Sequence, residues 1–91
     1  MDSVQDTRRK NWGWFYYGLV DQWGPIIGAD GLAVYMVLAR HADNETHDCY
    51  PSTATIAQKT GLSRRYVVTV LQRLAGHGLI TITASWYRLA A

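Results

Sequence analysis

The stretch from Ser52 to Gly78 constrains the fold more than any other part of the chain. It holds two helix-length segments, about eight and about fourteen residues long, separated by only Gly61, Leu62 and Ser63. A turn this short sets the second helix at a steep angle to the first, which demands a small residue where the two touch and a residue tolerant of positive φ in the turn. Ala57 meets the first demand and Gly61 the second; Leu62 plugs the turn, and Val67 and Val70 follow six and nine residues after Gly61. Pro51 and Ser52 read as a helix start with Ser52 as N-cap, giving a helix over Thr53 to Thr60. Ser63 caps the next, Arg64 to His77, which Gly78 closes.

The second helix has two faces. At about 100° per residue, Val67, Val70, Leu71 and Leu74 fall on one apolar stripe, with Ile56 of the first helix filling the core beside them. The opposite stripe carries Arg65, Val68, Thr69 and Gln72, flanked by Arg64, Tyr66 and Arg73. This mixture suits base edges: Arg pairs with guanine, Gln with adenine, and the Val and Thr methyls meet the thymine methyl. At about 1.5 Å per residue the helix is roughly 21 Å long, a length that lies comfortably in a major groove. The helix starts at Ser52 and Thr53 and at Ser63 and Arg64 present free N–H groups and a positive dipole end, both suited to phosphate.

Charge placement points the same way. The net charge is only +2, but residues 1–48 hold four basic and seven acidic side chains, whereas residues 49–91 hold Lys59, Arg64, Arg65, Arg73 and Arg88 with no acid at all. A half-chain with five cations and no carboxylate makes a surface suited to a polyanion.

The remaining segments are less specific. Residues 1–11 are polar, include Arg8, Arg9 and Lys10, and read as a mobile N-terminal arm; residues 12–91 read as a single domain. Residues 12–23 contain six of the eleven aromatic side chains. Trp14 to Tyr17 suggests a short strand, and Leu19, Val20 and Trp23 a short helix that Gly24 and Pro25 stop. This aromatic segment either packs on the core as an extra layer or forms a homodimer interface. A scaffold helix follows from about Leu32 to His41 with Asp30 as N-cap, then a polar loop, residues 42–48. Leu79 to Thr83 alternates apolar and polar like a strand, with Trp86 to Leu89 returning beside it; the intervening Ala84 and Ser85 lack the Gly or Asn of a tight hairpin, so the register stays open.

At these spacings the chain resembles the winged helix-turn-helix family of bacterial, phage and plasmid proteins. The resemblance is carried by Tyr50-Pro51-Ser52, Ile56-Ala57, Thr60-Gly61-Leu62-Ser63-Arg64-Arg65 and Leu74-Ala75-Gly76-His77-Gly78-Leu79-Ile80, and covers roughly residues 30–83. It implies a mainly α fold, with a three-helix core and a small β-hairpin wing. It also implies a recognition helix at 64–77, a scaffold helix at about 31–42, and double-stranded DNA as partner. Members include transcriptional regulators and replication-initiator N-terminal domains. The wing departs from the family pattern, being short and offering only Arg88 as a cation. The DNA-binding set expected is Ser52, Thr53, Lys59, Ser63, Arg64, Arg65, Tyr66, Thr69, Gln72, Arg73 and Arg88, with Arg65 on a base edge and Arg73 on phosphate. The alternative is a winged-helix module for protein–protein contact without DNA.

Other classes find little support. Paired carboxylates, a phosphate-cradling glycine loop and an activated Ser or Cys constellation are all missing, so no catalysis and no cofactor are expected. His41, His47, Asp48 and Cys49 match no common zinc spacing, and the loop acids lack the glycine and terminal glutamate of an EF-hand, so no metal is expected. No apolar run approaches the roughly 20 residues of a membrane span, the start lacks a secretory pattern, and Cys49 is the sole thiol. A cytoplasmic protein, nucleoid-associated when bound to DNA, is the expectation.

Overall fold

The computed structural model describes residues 17–90. A π-helical turn, Leu19–Trp23, runs directly into helix α1, Gly24–His41. Strand β1, Asp48–Cys49, helix α2, Thr53–Thr60, and helix α3, Arg64–Gly76, follow, and strands β2, Ile80–Thr83, and β3, Trp86–Leu89, form the hairpin. The three strands make one antiparallel sheet in the order β1-β3-β2. Three helices with a small sheet bear out the expected mainly α, winged architecture.

The local signals in α2 and α3 act as the sequence suggests. Ser52 Oγ accepts the Thr55 N–H at 3.1 Å and Ser63 Oγ accepts the Tyr66 N–H at 3.1 Å, so each serine satisfies a backbone donor that the helix start leaves over. Gly61 takes the left-handed conformation, φ 78°, that ends α2. Thr60 braces the turn, its Oγ1 donating to the Ile56 carbonyl at 2.8 Å and accepting the Leu62 N–H at 3.3 Å. Beyond α3, Gly78 is again left-handed, and the Leu79 N–H returns to the Leu74 carbonyl at 3.0 Å to satisfy one of the last turn's acceptors.

Helix α1 differs from expectation in two ways. Gly24 and Pro25 do not stop a helix; they open one, since proline in a first turn lacks only an N–H that has no intrahelical acceptor there. Asp30 is not the N-cap: Gly28, at φ 80° and ψ 173°, breaks the helix, which resumes at Ala29 with Asp30 already inside it. Gly31, buried against Ile27, lets the two halves approach closely. The strand expected at Trp14 to Tyr17 lies outside the described residues except for Tyr17, which is helical and exposed. The mobile arm, residues 1–11, also lies outside them.

The core sits where the three helices and the sheet converge. Leu19, Ile27, Val34, Leu38, Ile56, Val67, Val70 and Leu74 are all essentially sealed from solvent, and Leu71 nearly so. The stripe read as the inner face of α3 is therefore its inner face. Leu19 reaches this core from the π-helical turn, and the Trp23 ring meets His77 edge-on, with centroids 5.8 Å apart. These two residues of the aromatic segment pack within the same molecule.

The sheet adds what the sequence left open. Its hairpin pairs Ile80 with Leu89 and Thr83 with Trp86, leaving Ala84 and Ser85 as a two-residue turn. Ala84 supplies the positive φ, 46°, that glycine or asparagine ordinarily provides. Strand β1 pairs Asp48 with Arg88 and Cys49 with Tyr87, so β3 is the central strand.

Candidate nucleic-acid interface

Helix α3 buries one face and leaves the other free. Arg64, Arg65, Val68, Thr69 and Gln72 are exposed, and Arg65, Thr69 and Gln72 stand on the side opposite Val67, Val70 and Leu74. The left-handed Gly61 ends α2, and the Ser63 cap fixes where α3 begins. Ser52, Lys59 and Ser63 are exposed on the flanking elements, and Thr53 is half-buried at the start of α2. Burial first, then the charges of Lys59 and Arg40, pulls the His41 pKa below its usual value.

Besides the capping serines Ser52 and Ser63, three residues of the expected set, Tyr66, Arg73 and Arg88, have side-chain partners within the protein. Arg73 Nη1 donates to the Ile27 carbonyl at 2.9 Å and to Asp30 Oδ1 at 3.0 Å, and its Nη2 donates to Tyr66 Oη at 3.2 Å. Tyr66 Oη in turn donates to Asp30 Oδ2, and Asp30 Oδ1 also accepts the Gly31 N–H at 2.8 Å. The hydrogen bond from Tyr66, followed by those from Gly31 and Arg73, holds the Asp30 carboxyl below its usual pKa despite partial desolvation. Arg73 and Tyr66 thus form, with Asp30, a closed polar triad on one flank of α3. The guanidinium also satisfies the Ile27 carbonyl at the Gly28 break.

Arg88 is engaged as well. Its Nε donates to Asp48 Oδ1 at 2.6 Å and its Nη2 to Asp48 Oδ2 at 3.4 Å, a cross-strand ion pair set by the β1–β3 register. Its guanidinium carbon also lies 5.3 Å from the centre of the Trp86 ring, which in turn faces Tyr50 at 5.7 Å. The wing therefore presents an aromatic surface whose one cation is neutralised. Among the described residues Lys59, Arg64 and Arg65 have no acidic partner, so three of the five cations in residues 49–91 are unpaired there.

Asp30 and Asp48 are the functional neighbours that sequence reasoning missed. Asp48 ends an acidic loop and Asp30 lies 43 residues from Arg73, so no local spacing signals either pairing.

A helix-turn-helix domain family matches residues 28–80, more than half of the chain. The chain belongs to the helix-turn-helix domain family. The family match begins at the α1 break and ends at the first residue of β2, so it takes in the scaffold helix and both helices of the motif. No curated protein and no solved structure matches the chain. Among the described residues no helix is long and apolar enough to cross a membrane, and no three His, Cys, Asp or Glu side chains cluster as metal ligands. For a helix-turn-helix domain, the outward face of the second motif helix is where nucleic acid is read.

Proposed function

We propose that this helix-turn-helix domain binds double-stranded DNA sequence-specifically, with α3 in the major groove, as the DNA-binding part of a transcriptional regulator or a replication initiator. The observation that carries this reading is the exposed Arg65, Thr69 and Gln72 face of α3, set on a half of the chain that has no acid of its own. In this arrangement Arg65 reads a base edge, guanine fitting its bidentate fork, and Thr69 and Gln72 read neighbouring positions. Ser52, Thr53, Ser63, Arg64 and Lys59 surround that face with phosphate donors. Arg73, Tyr66 and Arg88 lie at its margins and act less directly, because each has a partner within the protein. Binding would place the protein in the cytoplasm at the nucleoid. Of the segment 12–23, through which two copies would meet, Tyr17 and Val20 are exposed apolar residues that a second copy would cover.

The test is a titration with a duplex obtained by selection from random sequences, repeated with one base pair altered. Three unpaired cations imply a log–log salt slope of about −2.7, whereas five would imply about −4.5. Arg65→Ala should cost about 1–3 kcal/mol on the selected site and erase the preference at one base pair. Binding that is undetectable at low salt refutes the DNA reading and favours the protein-contact alternative. An equal loss on both duplexes instead refutes Arg65 as a reader.

A further inference from the structure

Resting on the DNA-binding reading, we infer that Asp30 restrains the affinity of the domain for nucleic acid by neutralising Arg73 on the flank of the recognition helix. Its effect is to remove one phosphate contact that would otherwise be made on every sequence.

A helix with its side chains is about 10–12 Å across, close to the roughly 12 Å width of the major groove, so residues on the flanks of an inserted helix meet the sugar–phosphate walls. Arg73 and Tyr66, seven residues apart on α3, line one flank, beside the outward Thr69. An arginine there would be an ordinary phosphate contact. Arg73 instead gives both Nη1 hydrogens to α1, one to the Ile27 carbonyl and one to Asp30, and Nη2 to Tyr66 Oη, which donates onward to Asp30.

The carboxylate is built into this position. It lies in the first turn after the Gly28 break, and a Cβ at Gly28 would stand 2.9 Å from Asp30 Oδ1, so the break and the carboxylate occupy fitted space. Both partners still reach the surface, the Arg73 side chain at 32% and that of Asp30 at 23% exposure. An incoming phosphate therefore meets a pair with no net charge and feels the carboxylate as well as the guanidinium. Phosphate contacts carry no sequence information. Cancelling one lowers the attraction to all duplexes alike while the Arg65, Thr69 and Gln72 face is untouched, so Asp30 limits how long the domain lingers on arbitrary DNA.

Asp30→Asn tests this, because the amide oxygen can still accept from Gly31 while the charge disappears. On a non-selected duplex the variant should bind more tightly than the parent, with a salt slope steeper by about 0.9, so its advantage should grow about 3.5-fold between 200 and 50 mM salt. Asp30→Asn combined with Arg73→Gln should return to the parent slope. If that double variant instead shows a slope shallower than the parent by about 0.9, Arg73 already meets phosphate and the inference is overturned, because pair and double amide carry the same net charge. An unchanged slope in a folded Asp30→Asn variant overturns it as well. Elution from a heparin column gives the readout without duplex DNA. If the parent fails to bind duplex yet Asp30→Asn elutes at higher salt and the double variant does not, the DNA reading falls and the restraint stands. If duplex binding holds but neither measure shifts, the restraint falls alone.

Discussion

Replacing Gly31 with alanine gives a sharp test of how α1 is bent. Glycine inside a helix is worth about 1 kcal/mol less than alanine, so the exchange should stabilise a regular helix by that amount. Here a Cβ on residue 31 would stand 2.7 Å from Ile27 Cβ and 3.0 Å from Ile27 Cγ1. The nearer atom is fixed to the backbone and cannot be turned away by a rotamer change, so the two halves of α1 must part. Ile27 is itself 1% exposed, packed in the core, and its carbonyl accepts from Arg73, so parting them disturbs both. Overpacking of this kind costs about 1–3 kcal/mol, and a contact with a backbone-anchored atom belongs in the upper part of that range. Subtracting the gain in helix propensity leaves a net loss of about 1–2 kcal/mol. In a domain of this size that lowers Tm by at least about 4 °C. The control is Gly76→Ala near the end of α3, where an added Cβ meets nothing within 4 Å and the propensity gain of up to about 1 kcal/mol should appear alone. Thermal and urea melts of the two variants should move in opposite directions. A Gly31→Ala chain that is as stable as the Gly76→Ala chain would mean that α1 runs without the tight approach at Ile27.

Three further outcomes are expected. Leu71→Ala should lose about 2–5 kcal/mol in urea melts, because Leu71 lies in the core at 3% exposure, and a loss under about 0.5 kcal/mol would place it on the surface. Cys49 is fully buried, its thiol donating to the Tyr87 carbonyl at 3.5 Å, and burial pushes its pKa to about 11; a thiol-reactive disulfide at pH 8 should therefore label it only after denaturant is added, and prompt labelling of the native protein would show β1 undocked. The Asp30 carboxyl titrates below its ordinary value of 3.8, chiefly through the hydrogen bond from Tyr66, so its contribution is complete above that value and is lost as the pH falls through the lower folded one. Melting temperatures should show this loss below about pH 4, and Asp30→Asn should flatten that limb; an unchanged acid limb would deny the triad its share.

The parts of the molecule legible in the sequence are those encoded by near neighbours. Ser52, Gly61, Ser63 and Gly78 each act within five residues of themselves, and together they place α2 and α3 almost to the residue. The 3.6-residue period was enough to separate Val67, Val70, Leu71 and Leu74 from Arg65, Thr69 and Gln72. Pro25 was ambiguous because proline is common both where helices begin and just beyond their ends, and Gly28, three residues on, hid the continuity of α1. Strand β1, with two residues, is too short to show any alternation, and its pairing with β3 depends on residues 38 and 40 positions away. The same separation hid the fate of the cations. Arg73 and Arg88 look like Arg64 and Arg65 in a charge count, and only the fold brings carboxylates to the first two.

The placement of β3 between β1 and β2 bears on how such a domain could be lengthened. Each edge of the central strand is already hydrogen-bonded, and the Leu89 N–H is also taken by the His47 carbonyl at 3.0 Å. Residues added within β3 would break two ladders at once. At Ala84 and Ser85, beyond the last paired residues, added length would break none, and glycine or asparagine there would relieve the left-handed alanine. Grafts at this tip, a fluorophore-bearing loop or a longer basic finger among them, could be spliced in while the three helices beneath keep their present stability.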